Sequence, residues 1–306
     1  MSTSGGHAET WTVGRLLAWT QEFFRQRGLE SPRLCAEILL AHVLKTERLR
    51  LYTTFDQEPP AEAREAFREL VRRAAGGAPI AYLVGTKEFF SLPFEVGPDV
   101  LIPRPETEIL VERTITLFKG AADAAPLILD LCTGSGCIAI ALARHLPGAR
   151  ILASDISEGA IVIARRNAER HGVSGRIEFR VGDLLDPWRP DAAARGPLDV
   201  IVCNPPYVAA GDPAVEPSVR NYEPHLAIYA GADGLDVIRR VLGEAPAWLR
   251  SGGHLLMEVG YNQAAAVRRL VSDKLWTGAT SYRDGGGHER VLHVRAAPVA
   301  SQAYVA

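Results

Sequence analysis

The chain has 306 residues, 47% hydrophobic and 23% charged, with a net charge of −2, the profile of a soluble globular protein with room for one large domain and a small one. The near-neutral balance supplies no broad basic face, which argues against general electrostatic binding of nucleic acid, and no apolar run approaches membrane-spanning length. Cys35, Cys132, Cys137 and Cys203 lie in apolar or strand-end contexts without disulfide or zinc spacing, so reduced thiols and a cytoplasmic protein are expected.

Met1 to Thr10 is polar and small, lacks the basic start and apolar stretch of a signal peptide, and reads as a flexible end. From Trp11 the signals are helical. Leu16, Leu17, Trp19, Phe23 and Phe24 form an apolar stripe, with Gly28 as its stop. Ser31-Pro32 reads as N-cap and first-turn proline of a helix that carries Leu34, Ile38, Leu39, Val43 and Leu44 inwards. Pro59-Pro60 precede a charged helix from Ala61 to Ala74, with Phe67, Leu70 and Val71 facing the core. Gly76-Gly77 closes this helical domain, 11–77. A hairpin linker, 78–104, is expected from two β-favouring runs, Pro79 to Phe90 and Ser91 to Val96. It leads into the stiff Ile102-Pro103-Arg104-Pro105-Glu106-Thr107-Glu108 loop and a helix to Phe118.

The main domain is predicted over 105–295. Strands at Leu127 to Leu131, Arg150 to Ala153, Ile177 to Val181, Val200 to Cys203 and His254 to Val259 alternate with helices. Those helices run from Ile138 to His145, Glu158 to His171, Leu235 to Leu249 and Ala264 to Val271. A strand pair ending at Arg290 to Val294 follows, and 296–306 reads as a flexible tail. This alternation predicts an α/β fold, a doubly wound, mostly parallel sheet covered on both faces.

Two loops of that domain carry chemistry. Asp130-Leu131-Cys132-Thr133-Gly134-Ser135-Gly136-Cys137 joins the first strand to its helix, where glycines permit tight turns and close approach of a ligand to free helix-start amides. Asp155, about 20 residues on, is placed to hold ribose hydroxyls, and Asp183-Leu184 to contact an adenine ring. Gly134-x-Gly136-x-x-Ala139 fits a dinucleotide as well as S-adenosylmethionine. Asn204-Pro205-Pro206-Tyr207 separates the two. It ends an apolar strand, and its prolines hold an amide side chain, two carbonyls and an aromatic ring rigidly where α/β sheets bind ligands. A planar nitrogen conjugated to a carbonyl or ring is a poor nucleophile. The Asn204 side-chain oxygen and the Pro205 carbonyl accept its two N–H bonds and orient its lone pair, while Tyr207 stacks on the planar group. Orientation of this kind supplies several kcal/mol, roughly, without a metal. The histidines show no metal-ligand spacing and read as structural.

On these residues the chain resembles the release-factor glutamine methyltransferase family (HemK/PrmC) of class I S-adenosylmethionine-dependent methyltransferases. The resemblance runs from about Trp11 to Val294. It rests on the helical domain, Gly85-Thr86-Lys87-Glu88-Phe89-Phe90, the Ile102 to Glu108 loop, the Asp130 to Gly136 loop and the tetrapeptide. It implies a Rossmann-like, seven-stranded sheet and N5 methylation of the glutamine in the Gly-Gly-Gln loop of class 1 peptide-chain release factors. The methyl donor would be S-adenosylmethionine, leaving S-adenosylhomocysteine, with no metal. Cys132, Thr133, Gly134, Ser135, Gly136, Asp155, Asp183, Leu184 and Asn204 would line the cofactor. Asn204, Pro205, Pro206 and Tyr207 would hold the glutamine, with Asn204, Pro205 and Tyr207 catalytic. The helical domain would recognise the release factor; nucleic acid and membrane are not expected as partners, and a monomer is the default. Cys132 replaces a commoner glycine, Leu184 stands where some members carry an aromatic residue, and Arg283 to Arg290 is unusually glycine-rich. Arg220-Asn221-Tyr222-Glu223-Pro224 resembles the family's segment beyond the tetrapeptide. The alternative is a DNA amino-methyltransferase acting on adenine N6 or cytosine N4, which also uses such a tetrapeptide. The net charge and the absence of an added basic recognition domain weigh against it.

Overall fold

Leucines, valines and aromatic residues divide the chain into two units with separate cores. The computed structural model describes residues 10–120 and 124–298. The first unit comprises the chain up to Gly85 together with Pro217–Tyr222; the second holds Thr86–Glu216 and the chain from Glu223. The flexible ends expected at Met1 to Thr10 and Ala296 to Ala306 fall largely outside the described residues. Ala296, which is described, pairs with Trp276.

In the helical unit, Val13–Gln26 begins at Thr12, whose hydroxyl accepts from the Arg15 amide at 3.3 Å, and stops before Gly28 at φ +73°. Pro32–Val43 follows, with Ser31 at the N-cap position and Pro32 in the first turn as expected, but Ser31 adopts φ +48° and makes no side-chain capping hydrogen bond. Phe24, Leu39, Leu40, Leu51, Phe67 and Val71 form the core. Two expected core residues lie outside it: Trp19 is 51% exposed and Leu34 39%. The first helix buries Val13, Leu16, Leu17, Thr20 and Phe24, a stripe that leaves Trp19 on its flank, stacked on Phe23 at 5.0 Å. The second buries Glu37, which ion-pairs with Arg33 and Arg48. The extended run expected from Pro79 is corrected as well. Ile80–Val84 is a helical turn that starts after Pro79 and ends at Gly85, φ +73°. Tyr222 donates to the Gly76 carbonyl at 3.4 Å, tying Pro217–Tyr222 into this unit.

The second unit opens with the hairpin β1 (Thr86–Phe89) and β2 (Leu92–Glu95), joined by Phe90 and Ser91, both at positive φ, the geometry of a tight two-residue turn. Phe89 and Phe94 are buried in the sheet's core. The main strands are β3 (Leu127–Leu131), β4 (Arg150–Asp155), β5 (Ile177–Val181), β6 (Leu198–Cys203), β7 (Leu249–Glu258), β8 (Trp276–Arg283) and β9 (Glu289–Ala296). Their order is β5-β4-β3-β6-β7-β9-β8; the first five are parallel, and β9 is antiparallel to both β7 and β8. Alternate side chains enter separate cores: Ile128, Ile151, Val200 and Val202 on one face, Leu129, Leu152, Ile201 and Cys203 on the other. Both faces are covered, which is why these strands read as unbroken apolar runs. The helix expected from Leu235 to Leu249 is shorter. Asp236–Glu244 gives way to a 3-10 turn at Ala245–Ala247, where Pro246 supplies no donor, and β7 begins at Leu249. The chain runs outward from β3 through β4 to β5, then returns to β6 on the other side of β3. The carboxyl ends of β3 and β6 therefore flank the switch point where open α/β sheets bind ligands.

Candidate active site

Beyond β3 the backbone turns at Cys132 (φ +58°), Gly134 (φ +54°) and Gly136 (φ +80°) before helix Cys137–His145. Asp130 anchors the loop from below: its Oδ2 accepts from the Thr133 hydroxyl at 2.6 Å and from the Ala139 amide at 3.2 Å. Burial pushes this carboxyl up to about 7. Asp155, at the end of β4, accepts from the Gly134 amide and the Ser157 amide, each at 2.9 Å; burial raises its pKa, and those amides oppose the rise. The Asn167 amide donates to the Ser135 carbonyl at 3.0 Å and fixes the far side of the loop.

The loop fits a nucleoside cofactor on two observations. Asp130 Oδ1 and Ser135 Oγ are buried without a partner, so polar capacity is left over. A Cβ built on Gly134 meets nothing within 4 Å, which leaves the space above the loop open, whereas one on Gly136 would meet Ala164 and Ile140 at 3.1 Å. After β5, Leu184 holds φ +47° and its carbonyl accepts from Ser154 Oγ at 2.9 Å. The Asp183 carboxylate pairs with Arg240 at 2.9 Å.

The second half of the site follows β6, and distant residues hold it. Asn204 Nδ2 donates to Thr107 Oγ1 at 3.2 Å, and Thr107 Oγ1 donates to Glu258 Oε2 at 2.7 Å. Glu258 Oε1 accepts from the Tyr207 hydroxyl at 3.1 Å. The Tyr207 carbonyl accepts from Gln263 Nε2 at 2.8 Å. Gly234, at φ +75°, packs so close that a Cβ there would lie 2.3 Å from that carbonyl. Burial pushes the Glu258 carboxyl up to about 7, and burial together with Glu258 raises the Tyr207 phenol. The loop before Thr107 is fixed in the same manner: Glu223 accepts from the Ile102 amide at 3.0 Å and from Arg104 at 2.5 Å.

One cleft of about 290 Å³ brings Cys132, Thr133, Gly134, Ser135, Asp155, Asp183, Leu184, Asn204 and Pro206 together, with Arg104, Thr107 and Tyr229 on its wall. Three of the residues singled out in the sequence stand outside that lining. Gly136 lies beneath the helix start against Ala164, Pro205 is buried, and the Tyr207 ring reaches to Glu258. Thr107, Glu258 and Gln263 are the residues that sequence reasoning missed as parts of the site. Thr107 had been read as part of a stiff loop, and Glu258 and Gln263 carried no local signal. Their partners lie 97, 51 and 56 residues away. Among the described residues, no cluster of three or more His, Cys, Asp or Glu side chains is placed to hold a metal.

Comparison with known proteins adds independent findings. A family model described as the PrmC N-terminal domain matches residues 15–85, and one described as the methyltransferase small domain matches residues 107–220. The release factor glutamine methyltransferase of Rhodopirellula baltica is 44% identical over 291 residues, covering 94% of this chain and 97% of its own. That of Geobacter sulfurreducens is 40% identical over 285 residues, covering 93% and 96%. Among solved structures, the hMettl16 catalytic domain in complex with the MAT2A 3′UTR hairpin 6 matches with a TM-score of 0.52 at 19% identity. That match covers 74% of this chain and 81% of the other, a likeness of fold alone.

Proposed function

This chain belongs to the release factor glutamine methyltransferase family, and we propose that it methylates the side-chain amide nitrogen of a glutamine in a peptide-chain release factor. The target we infer is the glutamine of the Gly-Gly-Gln loop of class 1 factors. The observation that carries this reading is the orientation of Asn204. The Thr107 hydroxyl donates its hydrogen bond to Glu258, so Thr107 Oγ1 accepts from Asn204 and only Nδ2 can face it. Oδ1 is then the acceptor that remains at the end of β6, on the wall of the cleft.

A primary amide presents two N–H donors and a lone pair delocalised into its carbonyl. Two fixed acceptors, Asn204 Oδ1 and the Pro205 carbonyl, would hold both donors and turn the nitrogen's lone pair towards the cleft. The prolines keep these acceptors from reorganising, and the Tyr207 ring, tethered through its hydroxyl, is suited to stack on the planar amide. S-Adenosylmethionine, when bound, supplies the electrophilic methyl group. For it we assign Cys132 to Gly136 with their helix-start amides, Asp155 for the ribose hydroxyls, and Asp183 and Leu184 beside the adenine. The helical unit is assigned to recognition of the release factor. No helix among the described residues is long and apolar enough to cross a membrane, and release factors act in translation, so the proposed location is the cytoplasm.

The test is Asn204→Ala. Methyl transfer to a release factor should fall by about 10²–10³-fold, the loss typical of one oriented polar contact at a reacting group, while cofactor affinity stays within a few fold. Full transfer by a folded, cofactor-binding variant would overturn the assignment.

A further inference from the structure

Glu258 is the last residue of β7, fully buried, and both of its oxygens accept a hydroxyl hydrogen bond. Its two donors hold opposite ends of the tetrapeptide: Thr107 holds the Asn204 carboxamide, and Tyr207 is the aromatic end itself. An ionised carboxylate is acceptor-only. With Glu258 ionised, each proton in the chain Asn204–Thr107–Glu258–Tyr207 points towards it. We propose that Glu258 is a positioning residue that sets the polarity of the substrate pocket, keeping an acceptor rather than a donor of Asn204 turned towards the substrate amide. The inference rests on the amide-methylation reading and adds the residue that makes Asn204 selective for an N–H donor.

A neutral side chain at this position would break that polarity. Glutamine at 258 has one acceptor and one NH₂ group, yet it faces two hydroxyls that both now donate. If its NH₂ meets Thr107, the Thr107 hydroxyl must accept from it and pass its own proton on to Asn204. The Asn204 carboxamide then has to turn its Oδ1 inwards and offer Nδ2 to the cleft, where the substrate's N–H bonds also point. Donor would meet donor, and an unpaired polar contact replaces a made one. In that orientation a single atom exchange, separated from the substrate by Thr107 and Asn204, inverts the recognition. Several charged or titratable groups face Glu258: Glu106 on the turn Pro105–Thr107, Tyr207 beyond β6 and Arg290 on β9 act on it, and Glu258 in turn helps to raise the thiols of Cys203 on β6 and Cys137 at the start of its helix. Of these only Arg290 brings a positive charge, and its guanidinium is drawn to Asp284 at 2.7 Å.

The experiment compares kcat, KM for the release factor and cofactor Kd in wild type, Glu258→Gln, Thr107→Val, Thr107→Ser and the double variant Glu258→Gln/Thr107→Val. The expected result is a fall in kcat of about tenfold to a hundredfold for Glu258→Gln and for Thr107→Val, with cofactor Kd within about twofold. Thr107→Ser, which keeps the hydroxyl relay, should recover most of the rate. The double variant should lose no more than about threefold beyond the worse single variant, because both act through Asn204. A Glu258→Gln enzyme within about twofold of wild type, losses that multiply in the double variant, or a Thr107→Ser as slow as Thr107→Val would each overturn the proposal. Should Glu258→Gln fail to fold, the valine and serine pair at Thr107 decides it. If the wild-type protein transfers no methyl to release factor, the function proposed above fails instead. The Asn204 side-chain amide ¹⁵N–¹H signals then carry the test: a clear shift in Glu258→Gln supports the inverted carboxamide, and unmoved signals refute it.

Discussion

The two halves of the site are built by opposite means. The loop after β3 is mainly a backbone device: Cys132, Gly134 and Gly136 take positive φ, and of the groups that hold it Asp130, Thr133 and Asp155 lie within 21 residues of their partners and Asn167 within 32. The pocket after β6 is a side-chain device, whose shape depends on Thr107, Glu258 and Gln263, each contacting the tetrapeptide from a remote stretch of chain. The difference matches the two tasks proposed for them. In the proposed assignment the cofactor is received by a loop whose backbone leaves open space above Gly134. A single amide must be told from other groups by the direction of two hydrogen bonds, and only side chains with fixed donor or acceptor character give that direction.

If the halves are separable, damage to one should leave the other's signature intact. The largest effect on cofactor binding is expected for Gly134→Val, which puts a branched side chain into the open space above the loop at a φ that valine rarely adopts. Cofactor affinity should fall by about 100-fold or more in calorimetry, and Asn204→Ala should leave it nearly unchanged. Equal losses of cofactor affinity in the two variants would erase the distinction.

A pH series sharpens the same division. Glu258, pushed up to about 7, accepts from both hydroxyls only when ionised, so kcat at saturating substrates should rise as pH passes upward through about 7. Asp130, also near 7, sits under the cofactor loop, and its titration should appear in cofactor Kd instead. Stability moves the other way. Both carboxyls hold their protons more tightly folded than unfolded, where the ordinary values are 4.5 and 3.8. The stability they contribute is fully present below those values and is lost as pH rises through about 7. Thermal melts should therefore show a downward slope across that window, shallower in Glu258→Gln. A flat profile in both kcat and melting temperature would contradict these placements.

How much of this could be read from the sequence follows from the same contrast. The strands, the glycine loop, Asp155 and the tetrapeptide were legible because each is a contiguous signal: an apolar run, a turn-forming loop, a proline pair at a strand end. Glu258 was not, since in sequence it is one carboxylate inside the run His254 to Val259, and only the packing of β7 beside β6 brings it under Tyr207. Thr107 was visible as part of a rigid loop, but its two partners are 97 and 151 residues away. Misreadings in the helical unit have a similar cause. Trp19 is apolar and near the stripe, yet the 3.6-residue period places Thr20 inside and Trp19 on the flank.

That exposed ring gives the smallest expected effect. If the helical unit recognises the release factor, Trp19→Ala should raise KM for the whole factor by about threefold to tenfold, while KM for a short peptide carrying the glutamine is unaffected. Equal changes for both substrates would place Trp19 outside recognition and return it to local packing with Phe23.

The most direct measurement of the central claim is transfer of labelled methyl from S-adenosylmethionine to purified release factor, run beside a Gly-Gly-Gln→Gly-Gly-Ala variant of that factor and duplex DNA. Label on the wild-type factor alone is the predicted result, and it would identify substrate and target residue together. Label on DNA, or on the Gly-Gly-Ala factor as strongly as on the wild type, would contradict a pocket built to hold the side-chain amide of that glutamine.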